Sequence, residues 1–290
     1  MSTGPANSAR LAALMRRGKD APPLVMLTAY DYPSAQAADA GGVDMVLVGD
    51  SAATNVLGYG STREIPVDEL LVLTRAARRG VHAALLVGDL PFGSYEASDD
   101  VAVSTARRFA DAGCDLVKVE GAGEIVARVR AIVAGGIGVV GHVGLLPQGA
   151  ASADELKVRG RSAEEAIAIL RDAVALEAAG ASALVIEAVP AAVADAVAHR
   201  VRIPVIGIGA GAGVDGQVLV FHDLLGLGTG HVPKFVRPYA ALRETTVRAI
   251  SAYAADVRAR RFPGDAETYA MPEAELASFR AAVAAGARGK

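Results

Sequence analysis

The sequence predicts a (β/α)8 barrel, and three observations carry that prediction. Eight short aliphatic or β-branched runs punctuate the chain, and Ala-rich stretches with helical spacing separate most of them. A weak internal repeat supports the same plan: "AADAGGVDMVLV" (37–48), "FADAGCDLVKV" (109–119) and "LEAAGASALVI" (176–186) each give a helix end, a glycine and an apolar strand. Strands alternating with helices indicate parallel βαβ units, and eight within about 250 residues fit a closed barrel better than an open sheet. The runner-up, a doubly wound sheet, lacks its glycine-rich turn after the first strand.

Taken in order, an N-terminal helical segment, "SARLAALMRR" (8–17, within residues 1–22), precedes the first strand, "LVMLTAY" (24–30). The second strand is "DMVLVGD" (44–50), the third "HAALLVGD" (82–89) and the fourth "DLVKVE" (115–120). The fifth is "IGVVGH" (137–142). A helix follows in "SAEEAIAILRDAVALEAAG" (162–180), opened by a Ser162/Glu165 capping box and closed by Gly180. Strands six to eight are "SALVIE" (182–187), "PVIGIGAG" (204–211) and "QVLVFHD" (217–223). A helical tail from about residue 235 to 290, broken at "RRFPGD" (260–265), supplies the last barrel helix and leaves the remainder for packing. No Pro/Ser linker interrupts the chain, so residues 1–290 read as one domain.

Bulk properties exclude several function classes. The 290 residues carry a net charge of −3, which offers no basic field to nucleic acid or anionic lipid. Aromatics are only 4% with no Trp, which argues against base-stacking surfaces. Cys114 is the sole cysteine, so no intrachain disulfide forms, and its helix-to-strand position suggests a packed thiol. "LAALM" (11–15) is too short for a signal peptide core, and the glycine-rich "AIVAGGIGVVGHVGLL" (131–146) reads as helix end, turn and strand rather than a membrane span. The expectation is a cytoplasmic protein.

The strand ends carry the chemistry. They read Asp31, Asp50–Ser51, Asp89, Lys118–Glu120, His142, Glu187, the "GIGAGAG" loop (207–213) and His222–Asp223. Catalytic groups of such barrels sit at the C-terminal strand ends. Period-2 alternation puts Lys118 and Glu120 on the face of Leu116, toward the barrel mouth, with Val117 and Val119 turned to the helices. The alternatives are a structural Lys118–Glu120 pair or a binding site. Asp50, Asp89 and Glu120 end neighbouring strands, and three adjacent carboxylates repel unless protons or a cation intervene. An all-oxygen set favours a hard cation such as Mg²⁺. His142 is a candidate hydrogen-bond donor to substrate. The remaining histidines, 82, 199, 222 and 231, read as ordinary structural residues. Glu187 is either a general base facing the metal or an N-cap for "PAAVADAVA". The "GIGAGAG" loop precedes a turn and strand, not a helix, so it reads as a close-approach loop and not a dinucleotide site.

Together "TAYDYPSA", "VLVGDSAAT", "GDLPFGSYE", "VKVEG", "GHVGLLPQ", "VIEAVP" and "IPVIGIGAGAGVDGQVLVFHDLLGL" resemble the ketopantoate hydroxymethyltransferase family, in order from about residue 24 to 265. The resemblance implies a barrel of the phosphoenolpyruvate mutase/isocitrate lyase group. It implies Mg²⁺ surrounded by Asp50, Asp89 and Glu120, an oxoacid held by Ser51 and Lys118 with Asp50 and Asp89, a pocket lined by His142, and Glu187 as proton acceptor. The implied reaction is aldol-type transfer of a hydroxymethyl group from 5,10-methylenetetrahydrofolate to 3-methyl-2-oxobutanoate, giving 2-dehydropantoate in pantothenate biosynthesis. The resemblance also suggests a homo-oligomer, a decamer.

The chain departs from the family pattern in places. A Gly-Gly-aromatic-Lys-Val-Gln-Gly-Arg lid reads "DELKVRGR" (154–161), an acid is lost at Gly60, Leu73 replaces a common histidine, and a C-terminal Glu-His-Ser-Phe reads "AETY" (266–269). Three rivals stay open: a metal-dependent lyase or aldolase on another 2-oxoacid, a non-catalytic oxoacid-binding barrel, and a Schiff-base aldolase using Lys118.

Overall fold

The computed structural model describes residue 13 and residues 21–150, 155–230 and 232–286. Apart from Ala13, the predicted helix over 8–17 lies outside the described residues, as do Asp154 and His231. The strands are β1 (Leu24–Thr28), β2 (Met45–Val48), β3 (Leu85–Asp89), β4 (Leu116–Glu120), β5 (Gly138–Gly144), β6 (Ala183–Glu187), β7 (Val205–Ile208) and β8 (Gly216–Leu219). They pair in parallel and in chain order, and β8 returns to β1, closing the predicted barrel. The helices of this unit are α1 (Tyr32–Ala40), α2 (Val67–Gly80), α3 (Asp99–Asp111), α4 (Ile125–Ala134), α5 (Ala163–Ala178), α6 (Ala191–Arg200) and the short α7 (Phe221–Leu224).

Alternation along each strand sorts the apolar residues into two cores. Met26, Met45, Leu47, Val87, Leu116, Val140, Val185 and Ile206 fill the barrel interior. Val46, Val48, Leu86, Val117, Val119, Val139, Leu184 and Ile186 point outward and pack beneath the helices. Each fully buried aliphatic side chain contributes about 1.5–3 kcal/mol. Gly88 shows why a glycine precedes the acid of β3: a Cβ there would come within 2.5 Å of the Phe109 ring and 2.7 Å of Cys114 Sγ. Cys114 is the buried, packed thiol the sequence suggests. Burial and the neighbouring Asp115 push its pKa well up.

Three local readings are corrected. β8 stops at Leu219, so His222 and Asp223 do not end a strand but lie in α7. The Phe221 N–H leaves the sheet ladder and donates instead to Thr28 Oγ1 at 2.9 Å, which turns the chain into α7. Only half of the Ser162 capping box forms: Ser162 Oγ accepts the Glu165 N–H, but the Glu165 carboxylate takes the N–H of Arg161. Asp31 is the N-cap of α1, its carboxylate accepting the Ser34 N–H at 2.8 Å.

By its contacts the chain falls into two compact units, one up to Ala240 and one from Ala241 onward. The second holds α8 (Leu242–Arg258), a 3-10 turn (Asp265–Glu267) and α9 (Glu273–Gly286), with the predicted break between the helices. No helix among the described residues is long and apolar enough to cross a membrane.

Candidate active site

Strand register assembles the cluster at the barrel mouth. In β3–β4 the partner of Asp89 is Lys118, and in β4–β5 the partner of Glu120 is His142. Lys118 Nζ therefore donates to both oxygens of Asp89, at 2.8 and 2.9 Å, and to Glu120 Oε1 at 2.9 Å. Glu120 Oε1 also lies 3.2 Å from His142 Nδ1. Asp50, two residues past β2, joins them, its N–H donating to Asp89 Oδ2 at 3.2 Å. All five side chains are buried.

Burying so many charges sets their protonation. Burial and the adjacent Asp89 push the Asp50 carboxyl well above the ordinary carboxylate range. Burial also raises Asp89, against the pull of Lys118. At Glu120 burial opposes ionisation, but the charges of Lys118 and His142 outweigh it and hold the carboxyl well below its usual range. Burial works against the Lys118 ammonium too, yet Asp89, Glu120 and Asp50 hold it protonated. An amine held as ammonium is a poor nucleophile, which weighs against the Schiff-base alternative. His142 is lifted to about 9 because Glu120 overcomes the effect of burial.

The three carboxylates fit a divalent cation. One oxygen from each of Asp50, Asp89 and Glu120 lies within 4.8 Å of the others, and all three residues are buried. Lys118 and His142 answer Asp89 and Glu120, and the third acid, Asp50, is left without a cationic hydrogen-bond partner; oxygen donors suit a hard ion.

Glu187 ends β6 across a cavity of about 210 Å³ that it lines with Asp50, Ser51, Asp89, Lys118 and His142. Its Oε2 sits 3.4 Å from His142 Nε2, a buried nitrogen without a hydrogen bond. The N-cap alternative does not hold, since α6 is capped at Pro190 with no side-chain bond. Instead the chain leaves Glu187 through Ala188, a non-glycine residue at φ +47°. Such left-handed backbone costs about 1–2 kcal/mol and persists only where its surroundings enforce it. The Ala188 N–H bonds Ile208 O, and its carbonyl accepts the Arg159 N–H, both at 2.9 Å.

The cluster has supports that sequence reasoning missed. Gln148, in the turn after β5, donates from Nε2 to Asp50 Oδ2 (3.1 Å) and Leu90 O (3.0 Å). Its Oε1 accepts the Tyr95 hydroxyl at 2.9 Å, and its backbone N–H donates to Glu120 Oε2 at 3.0 Å. These bonds fix which way the amide faces. Gln148→Glu would set a carboxylate against Asp50, and it is expected to destabilise the cation-free protein by about 2 kcal/mol in urea unfolding. Of the other residues that the sequence put at strand ends, Asp223 lines the cavity from α7, while Asp31 does not line it. In the glycine-rich loop a Cβ on Gly209 would meet the Phe235 ring at 2.7 Å, so a side chain of this same unit makes the close approach there.

A family model described as ketopantoate hydroxymethyltransferase matches residues 8–265. The chain belongs to this family. It is 52% identical over 254 residues to the 3-methyl-2-oxobutanoate hydroxymethyltransferase of Geobacillus thermodenitrificans, covering 87% of this chain and 91% of that one. The enzyme of the same name from Oleidesulfovibrio alaskensis is 49% identical over 276 residues, covering 95% and 96%. Among solved structures, phosphonopyruvate hydrolase aligns with a TM-score of 0.61 at 16% identity, covering 98% of this chain and 99% of the other. A 2,3-dimethylmalate lyase of the PEP mutase/isocitrate lyase superfamily gives 0.59 at 16%, covering 98% and 100%. These two likenesses bear on the fold alone, and the fold they share with this ketopantoate hydroxymethyltransferase family member is the closed parallel barrel. Leu156 and Val158, from the stretch that departs from the family pattern, line a second, wider cavity of about 1150 Å³, which shares Glu187 and Pro147 with the first.

Proposed function

We propose that this enzyme transfers a hydroxymethyl group from 5,10-methylenetetrahydrofolate to 3-methyl-2-oxobutanoate, with Mg²⁺ as the cation. The observation that carries the reading is the placement of Glu187 across one small cavity from the buried Asp50, Asp89 and Glu120. Asp50, Asp89 and Glu120 hold the cation, which when bound supplies Lewis acidity to the oxoacid carbonyl. Ser51 and Lys118 take the carboxylate end of the substrate. His142 lines the pocket and, in the charged form that Glu120 favours, presents a donor toward Glu187 and the substrate. Glu187 accepts the proton from C3. The electron pair left on C3 forms the new C–C bond to the one-carbon unit; both C–N bonds of the methylene bridge break, water supplies the hydroxyl, and the C3 proton and the remaining water proton end on the two folate nitrogens. Apolar walls from Leu47, Val185, Ile208 and Val218 keep bulk water from the carbanionic carbon.

The test is C3–H exchange in D₂O. The oxoacid alone with enzyme and Mg²⁺ is expected to gain deuterium at C3, to stop doing so after EDTA, and to yield 2-dehydropantoate once methylenetetrahydrofolate is added. Exchange without product would favour a lyase or aldolase on this core. Binding without exchange would leave a non-catalytic barrel.

A further inference from the structure

The donor of the Ser51 hydroxyl is set from behind, by a chain of hydroxyls leading out of β1. Thr28 continues the inward-facing alternation of Leu24 and Met26 and lines the cavity, while Tyr30, two residues past the end of β1, is buried among the outer-core residues behind it. The Phe221 N–H, which can only donate, gives its proton to Thr28 Oγ1 at 2.9 Å. Thr28 Oγ1 in turn donates to the Tyr30 hydroxyl oxygen at 2.8 Å. Tyr30 Oη, already accepting, directs its own proton along its other contact, the 2.9 Å bond to Ser51 Oγ. Either oxygen could donate in that bond; with Tyr30 as donor, Ser51 Oγ accepts and its own proton is left over. Ser51 lines the cavity, so that proton is available there.

We propose that Thr28 and Tyr30 are positioning residues whose relay fixes Ser51 as a hydrogen-bond donor to an anionic oxygen of the substrate. The need is electrostatic. The cavity wall holds Asp50, Asp89, Glu120 and Glu187, and a free serine hydroxyl beside them would turn its proton onto one of these carboxylates, showing its lone pairs to the incoming anion. An obligate backbone donor at the head of the chain favours the direction Thr28 to Tyr30 to Ser51, which engages a Ser51 lone pair and keeps its proton from being spent on Tyr30, and serial hydroxyl bonds reinforce one another in a buried setting. Tyr30 is suited to the task because it stays a phenol: burial pushes its pKa well up, and its ring is packed 5.5 Å from His222.

This inference rests on the assignment of Ser51 to the oxoacid carboxylate, and the experiment separates the two. Dissociation constants for 3-methyl-2-oxobutanoate with Mg²⁺ present, together with KM and kcat, are compared for Ser51→Ala, Tyr30→Phe, Thr28→Val and Thr28→Ser. Ser51→Ala and Tyr30→Phe are each expected to weaken oxoacid binding roughly tenfold, with the loss in KM and much less in kcat. Thr28→Val should act in the same direction, Thr28→Ser should restore the affinity, and Thr28→Val with Tyr30→Phe should be no worse than Tyr30→Phe alone. Mn²⁺ affinity without substrate should be the same in every variant. If Ser51→Ala binds the oxoacid normally, the Ser51 assignment fails and the relay with it. If Ser51→Ala is weak but Tyr30→Phe binds normally, or the double variant is additive, the relay alone is overturned. Should Tyr30→Phe fail to fold, the Thr28→Val and Thr28→Ser pair decides the matter in the same way.

Discussion

Glu187→Gln is expected to bind Mg²⁺ and oxoacid as the parent does and to turn over roughly 10²–10⁴ times more slowly, the usual worth of a positioned base. Amide and carboxylate have nearly the same shape, so the strained turn at Ala188 and the contact with His142 are kept in outline. What is lost is the ability to take the C3 proton. C3 deuterium exchange should fall by the same factor as turnover, because both need that step. If the Gln variant exchanges and turns over like the parent, the base is elsewhere, and Glu187 is only a polar wall of the cavity.

The second large effect separates two carboxylates that look equivalent in sequence. Asp50→Asn and Asp89→Asn should both abolish measurable Mg²⁺ affinity in calorimetry, and activity with it. Without cation they should diverge. Asp50 is the carboxylate that burial and Asp89 make most reluctant to ionise, and Gln148 is its main partner. Removing its charge should therefore raise the unfolding midpoint. Asp89 holds Lys118 through both oxygens, so its neutralisation leaves a buried ammonium with Glu120 as its remaining hydrogen-bonded carboxylate. A loss of about 3 kcal/mol is expected, as when one partner of a buried ion pair is removed. Equal stability changes in the two variants would show that Lys118 does not distinguish the two acids.

The barrel was legible because its signal is repetitive. Eight short runs of aliphatic or β-branched residues, each alternating between the interior and the helix layer, state the same strand pattern, and closure follows from their number. Lys118 and Glu120 were legible for a related reason, since period 2 alone puts them with Leu116 and opposite Val117 and Val119. Asp31 shows the limit of that reasoning: it follows a strand like the others, yet a serine three residues on makes it a cap. His222 and Asp223 follow a β-branched run that ought to continue, and only a side chain 193 residues away, Thr28, ends the ladder. Gln148 and Tyr95 were invisible for the same cause. Nothing local marks a glutamine as the partner of an aspartate 98 positions earlier, because that pairing exists only once β2 and β5 are brought to one rim.

The register that pairs Asp89 with Lys118 and Glu120 with His142 also makes metal binding a property of the entire barrel. Slipping β4 by one residue would turn Val117 and Val119 inward and carry Lys118 and Glu120 out under the helices. The donor set thus has no half-formed version: it exists when the sheet is closed in this register and vanishes otherwise. A cation that binds it adds RT ln(1 + [L]/Kd) to the free energy of unfolding the closed sheet, not to a local loop. Amides of β2 through β5 would accordingly exchange with solvent more slowly as cation is added, in step with one another.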